Sequence, residues 1–589
     1  MNGTIPESFG QLSKLIRLNL NENSWEGVVT EAHLMNLKSL EYLKIFTADK
    51  VMPLVFNVTH EWVPPFKLKY LKLKNFLVGP RFSMWLQVQS ELTYVSLGNV
   101  GVADTIPEEW FSKISHRLTY LDLSNNRIKG RLPYHLESPK LLWIDLSNNS
   151  FHGYLPLWST NASIFLLENN LFSGPIPSNI GELMPQLEYL YLHENHLNGT
   201  IPSSICTLEN LQFLSLRTNQ LFGELPQCWN KLQKLFSLDV SNNSLSGKIP
   251  NSIGSLSSLV LLLLSSNNLD GEIPPSLWNC TMMTTVDLGG NNLSGKLPSW
   301  IGGNGIALKI LRLRSNSFNG NIPRQWCNLK ELHVLDLAHN NLSGAIPSCL
   351  KNLTALVYGS NSSANFTNEK QIIVVAKGRE LKYGWTIQFI NNIDLSANKL
   401  VGEIPKEITS LTALNTLYFS MNCLFGHIPD NIGNLRWLET LVVSSNNLSG
   451  PIPQSLSSLT SLAHLNLSHN NLIGKIPSGY QLQTLDDPSI YEGNPLLCGL
   501  PLRTKCQGDD ASNALPAGND DDDENEVEMV WFYGSMGLGF VVGFWVFFGT
   551  LLIKKSWRHA YIQFLENMIE RIALMIELSV ARLQRRWDQ

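Results

Sequence analysis

Residues 187–202 read L-E-Y-L-Y-L-H-E-N-H-L-N-G-T-I-P. Leu190 and Leu192 alternate with Tyr189, Tyr191 and His193, the period-two pattern of a short strand with one face buried. Asn195 follows at the turn, where a side-chain amide can satisfy the backbone groups of adjacent coils. Gly199 permits a backbone geometry that a Cβ resists. Ile201 then returns to the core, and Pro202 stiffens the far side and prevents a long helix.

The same register, L-x-x-L-x-L-x-x-N-x-L-x-G-x-I-P, recurs along the chain. Its glycines fall at Gly130, Gly153, Gly174, Gly199, Gly223, Gly247, Gly271, Gly295, Gly320 and Gly344, and resume at Gly402, Gly426, Gly450 and Gly474. Most steps are 24 residues, with a few of 21, 23 or 25. No single coil can bury its own Leu face, whereas stacked coils share one continuous core. Residues 30–115 are degenerate, but Leu71, Leu73, Val95 and Leu97 hold strand positions there, so coils are expected. Composition agrees with this reading. The 589 residues include 41 Gly and 29 Pro, and only 16% are charged. Net charge is -5 and the repeats carry no Lys/Arg-rich stripe, which argues against nucleic acid as a partner.

The L-x-L-x-x-N-x-L-x-G-x-I-P form over roughly residues 1–480 resembles the plant-specific class of leucine-rich repeats. That resemblance implies an α/β leucine-rich-repeat solenoid, a curved right-handed superhelix with short parallel strands on its concave face. Repeats are expected over 1–350 and 392–480, broken by an insertion at 351–391. A loop that long inside a compact array is usually functional or disordered, and the β-branched run Ile372 to Val375 argues for partial order. The insertion resembles the island of plant receptor-like proteins, where K-G-x-E-x-x-Y precedes the last four repeats. Lys377, Gly378, Glu380 and Tyr383 match it. The resemblance implies a role for the island in binding ligand or co-receptor; a tolerated surface insertion is the plainer alternative.

Eight cysteines bear on the compartment. Cys206 and Cys228 lie 22 apart, as do Cys327 and Cys349, in matching places of their repeats, which suggests two bridges between adjacent coils. Cys498 and Cys506 flank a Gly/Pro-rich segment similar to the terminal cap of plant leucine-rich-repeat ectodomains, here 481–508. Cys280 and Cys423 have no evident partner and are expected to be buried thiols. Paired cysteines suit an oxidising compartment. So do the N-x-S/T sequons at Asn57, Asn148, Asn161, Asn198, Asn242, Asn279, Asn292, Asn341, Asn352, Asn361, Asn365, Asn447 and Asn466, although the repeat itself partly forces Asn-Leu-Ser.

Residues 509–528 carry nine acids and no base, a solvated spacer. Met529 to Ile553 then runs without a charge, long enough at roughly 37 Å to span a hydrocarbon core of about 30 Å with some tilt. Lys554, Lys555 and Arg558 follow, so the basic side is cytosolic and the repeats face outward, in type I topology at the plasma membrane. Ser535, Gly539 and Gly543 lie four apart on one helix face, where a second helix can approach closely. Plant receptor-like proteins use such a stripe to associate with an adaptor receptor kinase. The tail, 554–589, is too short for a kinase and has neither a glycine-rich nucleotide loop nor a catalytic-loop motif. Its Tyr561-Ile-Gln-Phe564 fits a tyrosine-based endocytic pattern, or else the apolar face of an amphipathic helix. Met1 opens in the second half of a repeat, without a signal peptide or amino-terminal cap, so the chain is expected to be truncated there.

The resemblance is to the kinase-lacking plant receptor-like proteins, above all the receptors of the fungal ethylene-inducing xylanase elicitor. It implies a receptor in plant defence that binds an extracellular protein or peptide and signals through adaptor and co-receptor kinases. Outward strand residues that could contact ligand are Tyr189, Tyr191, His193, Phe213, Arg217, Arg312, Arg314 and Tyr418. Asp122, Asp145, Asp239, Asp287, Asp336 and Asp394 could pass for a metal row, but they fill the fixed L-D-L position and read as scaffold. No nucleophile–base constellation, H-E-x-x-H or phosphate loop is present, so neither an enzyme nor a cofactor is expected. The alternatives are a developmental peptide co-receptor, an extracellular enzyme-inhibitor-like protein and a non-signalling remnant.

Overall fold

Strand Tyr189–Tyr191 pairs in parallel with Ile164–Leu166 on one side and Phe213–Ser215 on the other. That relation repeats coil after coil in a computed structural model of the protein, which describes residues 2–46, 54–303, 307–359, 372–376, 379–383 and 389–506. Among the described residues, eighteen strands from Arg17–Asn19 to His464–Asn466 form one long parallel sheet in chain order. The degenerate stretch contributes regular strands, Tyr42–Phe46, Tyr70–Lys74 and Tyr94–Gly98. A second set of short parallel strands follows each turn, for example Ser244–Lys248 beside Asn268–Gly271. The far side is built from 3-10 turns such as Ser203–Thr207 and Asn251–Ser255, each entered through an extended proline, Pro202 or Pro250. The proline's fixed φ allows the turn and its missing N–H forbids a longer ladder.

The core is a column of stacked aliphatic layers. Leu190 and Leu192, Leu214 and Leu216, and Leu238 and Val240 are essentially inaccessible to solvent. Full burial of such a side chain contributes roughly 1.5–3 kcal/mol, which is how a coil without a private core stays ordered.

Asparagines hold the coils together. Asn195 Nδ2 donates to the carbonyls of Leu192 and His193 in its own coil and of Leu167 in the preceding one, at 3.2, 3.3 and 3.0 Å. Its Oδ1 accepts from Phe172 N–H at 3.0 Å. Asn219, Asn243, Asn267 and Asn291 repeat the pattern. Gly199 has φ +81, which a side chain would resist.

Three disulfides clamp the array: Cys206–Cys228, Cys327–Cys349 and Cys498–Cys506. Cys280 is a buried thiol, but Cys423 is exposed, contrary to the expectation. It stands between Asn422 and Leu424, which both point inward, so strand alternation turns it to solvent. At the carboxyl end Leu496–Cys498 adds a last strand to Asn471–Lys475, and Asn494 continues the asparagine ladder. Tyr491 and Leu497 cover the final layer.

After Leu356 the chain leaves the coil and regains it at Asn391, whose N–H bonds Asn415 Oδ1 at 3.0 Å. Between them Ile372–Ala376 and Arg379–Tyr383 form an antiparallel pair, with Val375 opposite Glu380 and Ile372 opposite Tyr383. Lys377 and Gly378 lie outside the described residues, as do Asn361, Asn365 and everything from 507 onward. The latter includes the spacer 509–528, the apolar run 529–553 with Ser535, Gly539 and Gly543, and the tail 554–589 with Tyr561 and Phe564. Among the described residues no helix is long and apolar enough to cross a membrane.

Candidate functional site

The solvent face of the long sheet is a ladder of side chains, because parallel strands in exact register put equivalent positions of successive coils side by side. Its chemistry changes along the stack.

In the first coils one row reads Arg17, Tyr42, Tyr70, Tyr94, Tyr120, Trp143. The rings of Tyr42 and Tyr70, Tyr70 and Tyr94, and Tyr94 and Tyr120 stack at centroid distances of 4.1, 4.1 and 4.2 Å. Arg17 lies 4.4 Å above the Tyr42 ring, a cation–π contact. Burial and the nearby Asp122 carboxylate push the Tyr120 phenol up to about 12, so it stays a hydroxyl. The neighbouring row carries Lys44 and Lys72, with Lys74 two residues on. Burial, with the repulsion of Lys44 and Lys74, pushes the Lys72 ammonium below the ordinary lysine range. Sequence reasoning missed this patch because these coils lack the Asn and Ile-Pro signals. The signal was the Y-L-K at 42–44 and at 70–72, in register with Y-V-S at 94–96 and Y-L-D at 120–122.

The middle coils bring four expected residues together. Tyr189 stacks on Phe213 at 4.8 Å and meets Tyr191 edge-on at 6.4 Å, and Tyr191 meets His193 at 5.8 Å. Tyr189 and Phe213 are half-buried and present ring edges, whereas Tyr191 is buried by its neighbours. Burial, and then the Arg217 guanidinium, push the His193 imidazole down to about 3, so it is neutral.

The expected arginines are not free groups on an outward face. Arg217 Nη2 lies 2.9 Å from Glu194 Oε1, and its Nε 3.6 Å from Asp239. Arg312 is buried, with Nη1 3.1 Å from Asp287 and Nε 3.5 Å from Asp336. Arg314 reaches Asp394 at 2.8 Å and Asp336 at 3.6 Å. Strand register causes this: Arg312 falls directly between Asp287 and Asp336. The aspartates also accept from their own turns, as Asp239 Oδ1 does from the Ser241 hydroxyl at 2.6 Å. Burial and Asp394 push the Asp336 carboxyl up, against the pull of Arg314 and Arg312. Tyr418 is likewise buried in the sheet face. Among the described residues no group of acids, histidines or cysteines is arranged to hold a metal ion.

At the foot of the insertion a groove of about 550 Å³ is lined by Val357, Tyr358, Thr409, Ala413, Arg436 and Trp437. Tyr358 and Trp437 stand 80% and 66% exposed. Two exposed aromatics of that size lining one groove mark a surface fit for a protein partner. Among the sequon residues, Asn57, Asn161, Asn198, Asn242, Asn279, Asn292, Asn341, Asn352 and Asn447 are exposed. Asn148 and Asn466 are half-buried, and Asn466 Oδ1 is held by Ser468.

Residues 117–138, 186–208, 437–459 and 461–482 match the Leucine Rich Repeat family, and 212–342 match the leucine-rich-repeat domain of EGF-like domain-containing protein ComC. The chain is 44% identical to receptor-like protein EIX2 of Solanum lycopersicum over 95% of its own length and 53% of that protein. It is 45% identical to receptor-like protein EIX1 of the same plant, with the same coverage. It thus spans about half the length of these tomato relatives. The Arabidopsis receptor kinase HAESA, solved in complex with the peptide hormone IDA and the co-receptor SERK1, superposes with a TM-score of 0.64 at 29% identity, over 86% of this chain and 77% of that one.

Proposed function

The chain belongs to the leucine-rich-repeat receptor-like proteins of plants, and from that premise we propose that it is a cell-surface receptor without a kinase of its own. It binds an extracellular protein or peptide elicitor and signals in plant defence through partner kinases. The observation that carries this reading is identity of 44–45% to EIX2 and EIX1 over 95% of the chain. The long-sheet face supports it with a continuous array of aromatic and charged side chains on a rigid scaffold. Ligand contacts fall to Tyr189, Phe213 and the ring edges beside them. The island segment around Glu380 and Tyr383, with the groove under Tyr358 and Trp437, takes the co-receptor. The run 529–553 anchors the chain in the plasma membrane, Ser535, Gly539 and Gly543 pair with an adaptor kinase helix, and Tyr561 and Phe564 serve endocytosis. The exposed sequon asparagines carry glycans.

A developmental peptide receptor is the second reading, favoured by the likeness to HAESA bound to a peptide hormone. The two separate on the response. Leaf cells displaying the chain should give an oxidative burst when fungal xylanase is added, and none without the chain. Surface display with no burst to xylanase or other microbial extracts would move the reading to development.

A further inference from the structure

Three lysines stand out on the long-sheet face. Lys44, Lys72 and Lys74 sit together on two adjacent strands, half-buried, and none forms an ion pair among the described residues. Further along this face Arg217, Arg312 and Arg314 are each matched by two carboxylates, as Arg312 is by Asp287 and Asp336. The acids nearest the lysines are engaged by hydroxyls of their own or the preceding coil. Asp122 accepts from the hydroxyls of Ser96 and Ser124, at 2.9 and 2.7 Å, and Asp145 accepts from that of Ser147 at 2.6 Å. Three like charges so placed repel one another, and an arriving anion relieves that repulsion.

The row alongside decides which anion. Tyr42, Tyr70, Tyr94 and Tyr120 stack within 6–14° of parallel, so their ring faces cover one another. A ligand meets only ring edges and phenol oxygens. A sugar ring that stacks on an aromatic face finds no free face here, whereas a polypeptide can place carboxylates on the lysines and backbone N–H groups on the phenol oxygens, whose own O–H groups bond along the stack.

We propose that the sheet face formed by Lys44, Lys72, Lys74 and the Tyr42–Tyr70–Tyr94 stack binds an extended acidic peptide segment running across the first coils. The site deepens the receptor reading by naming the chemistry of its ligand. It needs no partner kinase, so its failure in vitro would leave that reading standing.

The test is fluorescence anisotropy of a labelled octaglutamate peptide with the full chain in detergent, against octaglutamine and an oligogalacturonide. Octaglutamate should bind, weaken as salt rises, and lose at least about tenfold in affinity in the Lys44→Gln/Lys72→Gln/Lys74→Gln variant. The matching triple arginine variant should retain binding. Where the glutamine variant fails to fold, Lys72→Gln alone should still weaken binding measurably. The proposal is overturned if octaglutamate binds no better than octaglutamine, if neither glutamine variant changes the affinity, or if only the oligogalacturonide binds, which would make the face a site for acidic polysaccharide.

Discussion

Arg312 Nη1 donates to both carboxylate oxygens of Asp287, at 3.1 and 3.2 Å, from the adjacent strand of the long sheet. The pair is buried, and it ties two coils together at a position where sequence reasoning placed a ligand contact. Removing one partner leaves an uncompensated charge in a poorly solvated place, which typically costs about 3–5 kcal/mol. Arg312→Ala should therefore lower the midpoint of chemical denaturation strongly. A substitution with no effect on stability would show that the guanidinium is free for a ligand after all.

Asn195 makes the corresponding bond between coils in neutral form. Asn195→Ala strands the Phe172 N–H inside the stack, whereas the Leu167 carbonyl keeps the bond from Asn170 Nδ2 at 3.1 Å. A buried group left without a partner costs about 1–3 kcal/mol, so the variant should lose about that much. Asn198→Ala, at an exposed position of the same coil, is the control and should change little on a protein without glycans.

The Cys206–Cys228 bridge closes a 22-residue step between neighbouring coils. The chain-entropy account assigns such a loop about 3 kcal/mol. The Cys206→Ser/Cys228→Ser variant should unfold earlier in denaturant by about that amount, with the strand signal in circular dichroism intact beforehand.

His193 gives the face a pH dependence. In the folded protein the imidazole stays neutral down to about 3, while the unfolded chain takes up its proton near pH 6.5. Stability from this group is thus full above pH 6.5 and is lost as pH falls toward 3. Asp145 and Asp239, pushed up by burial, act in the opposite sense, because they take up protons in the folded state first. The difference between wild type and His193→Gln isolates the histidine. The melting temperature of the variant should fall less between pH 6.5 and 4 than that of the wild type.

Much of this architecture is legible in the sequence, because each ladder residue has one physical role that recurs every coil. The strand Leu positions, the turn Asn and the Pro before each 3-10 turn all sit where the register predicts. A regularity beside them went unread. The residue before each ladder asparagine is left-handed, as at Glu194, Thr218 and Met421, with φ of 55, 54 and 55. That is why Asn-Asn doublets such as Asn242-Asn243 recur, since Asn tolerates this conformation best after Gly. The binding face was less legible. Alternation shows which side chains point away from the core, but it cannot show that Arg312 falls between aspartates of the two adjacent coils or that Arg314 reaches those of the next two. Those contacts arise from partners 25 and 80 residues away. The tyrosine stack was hidden for the same reason, since its members come from four successive coils in a stretch with weak repeat signals.

The central claim is a receptor that borrows its kinase. The most direct measurement is recovery of receptor kinases with the chain from the surface of plant leaf cells, beside the same chain carrying Gly539→Leu and Gly543→Leu. The account predicts a kinase with the first and its loss with the second. Equal surface display with no kinase recovered from either, or equal recovery from both, would contradict it.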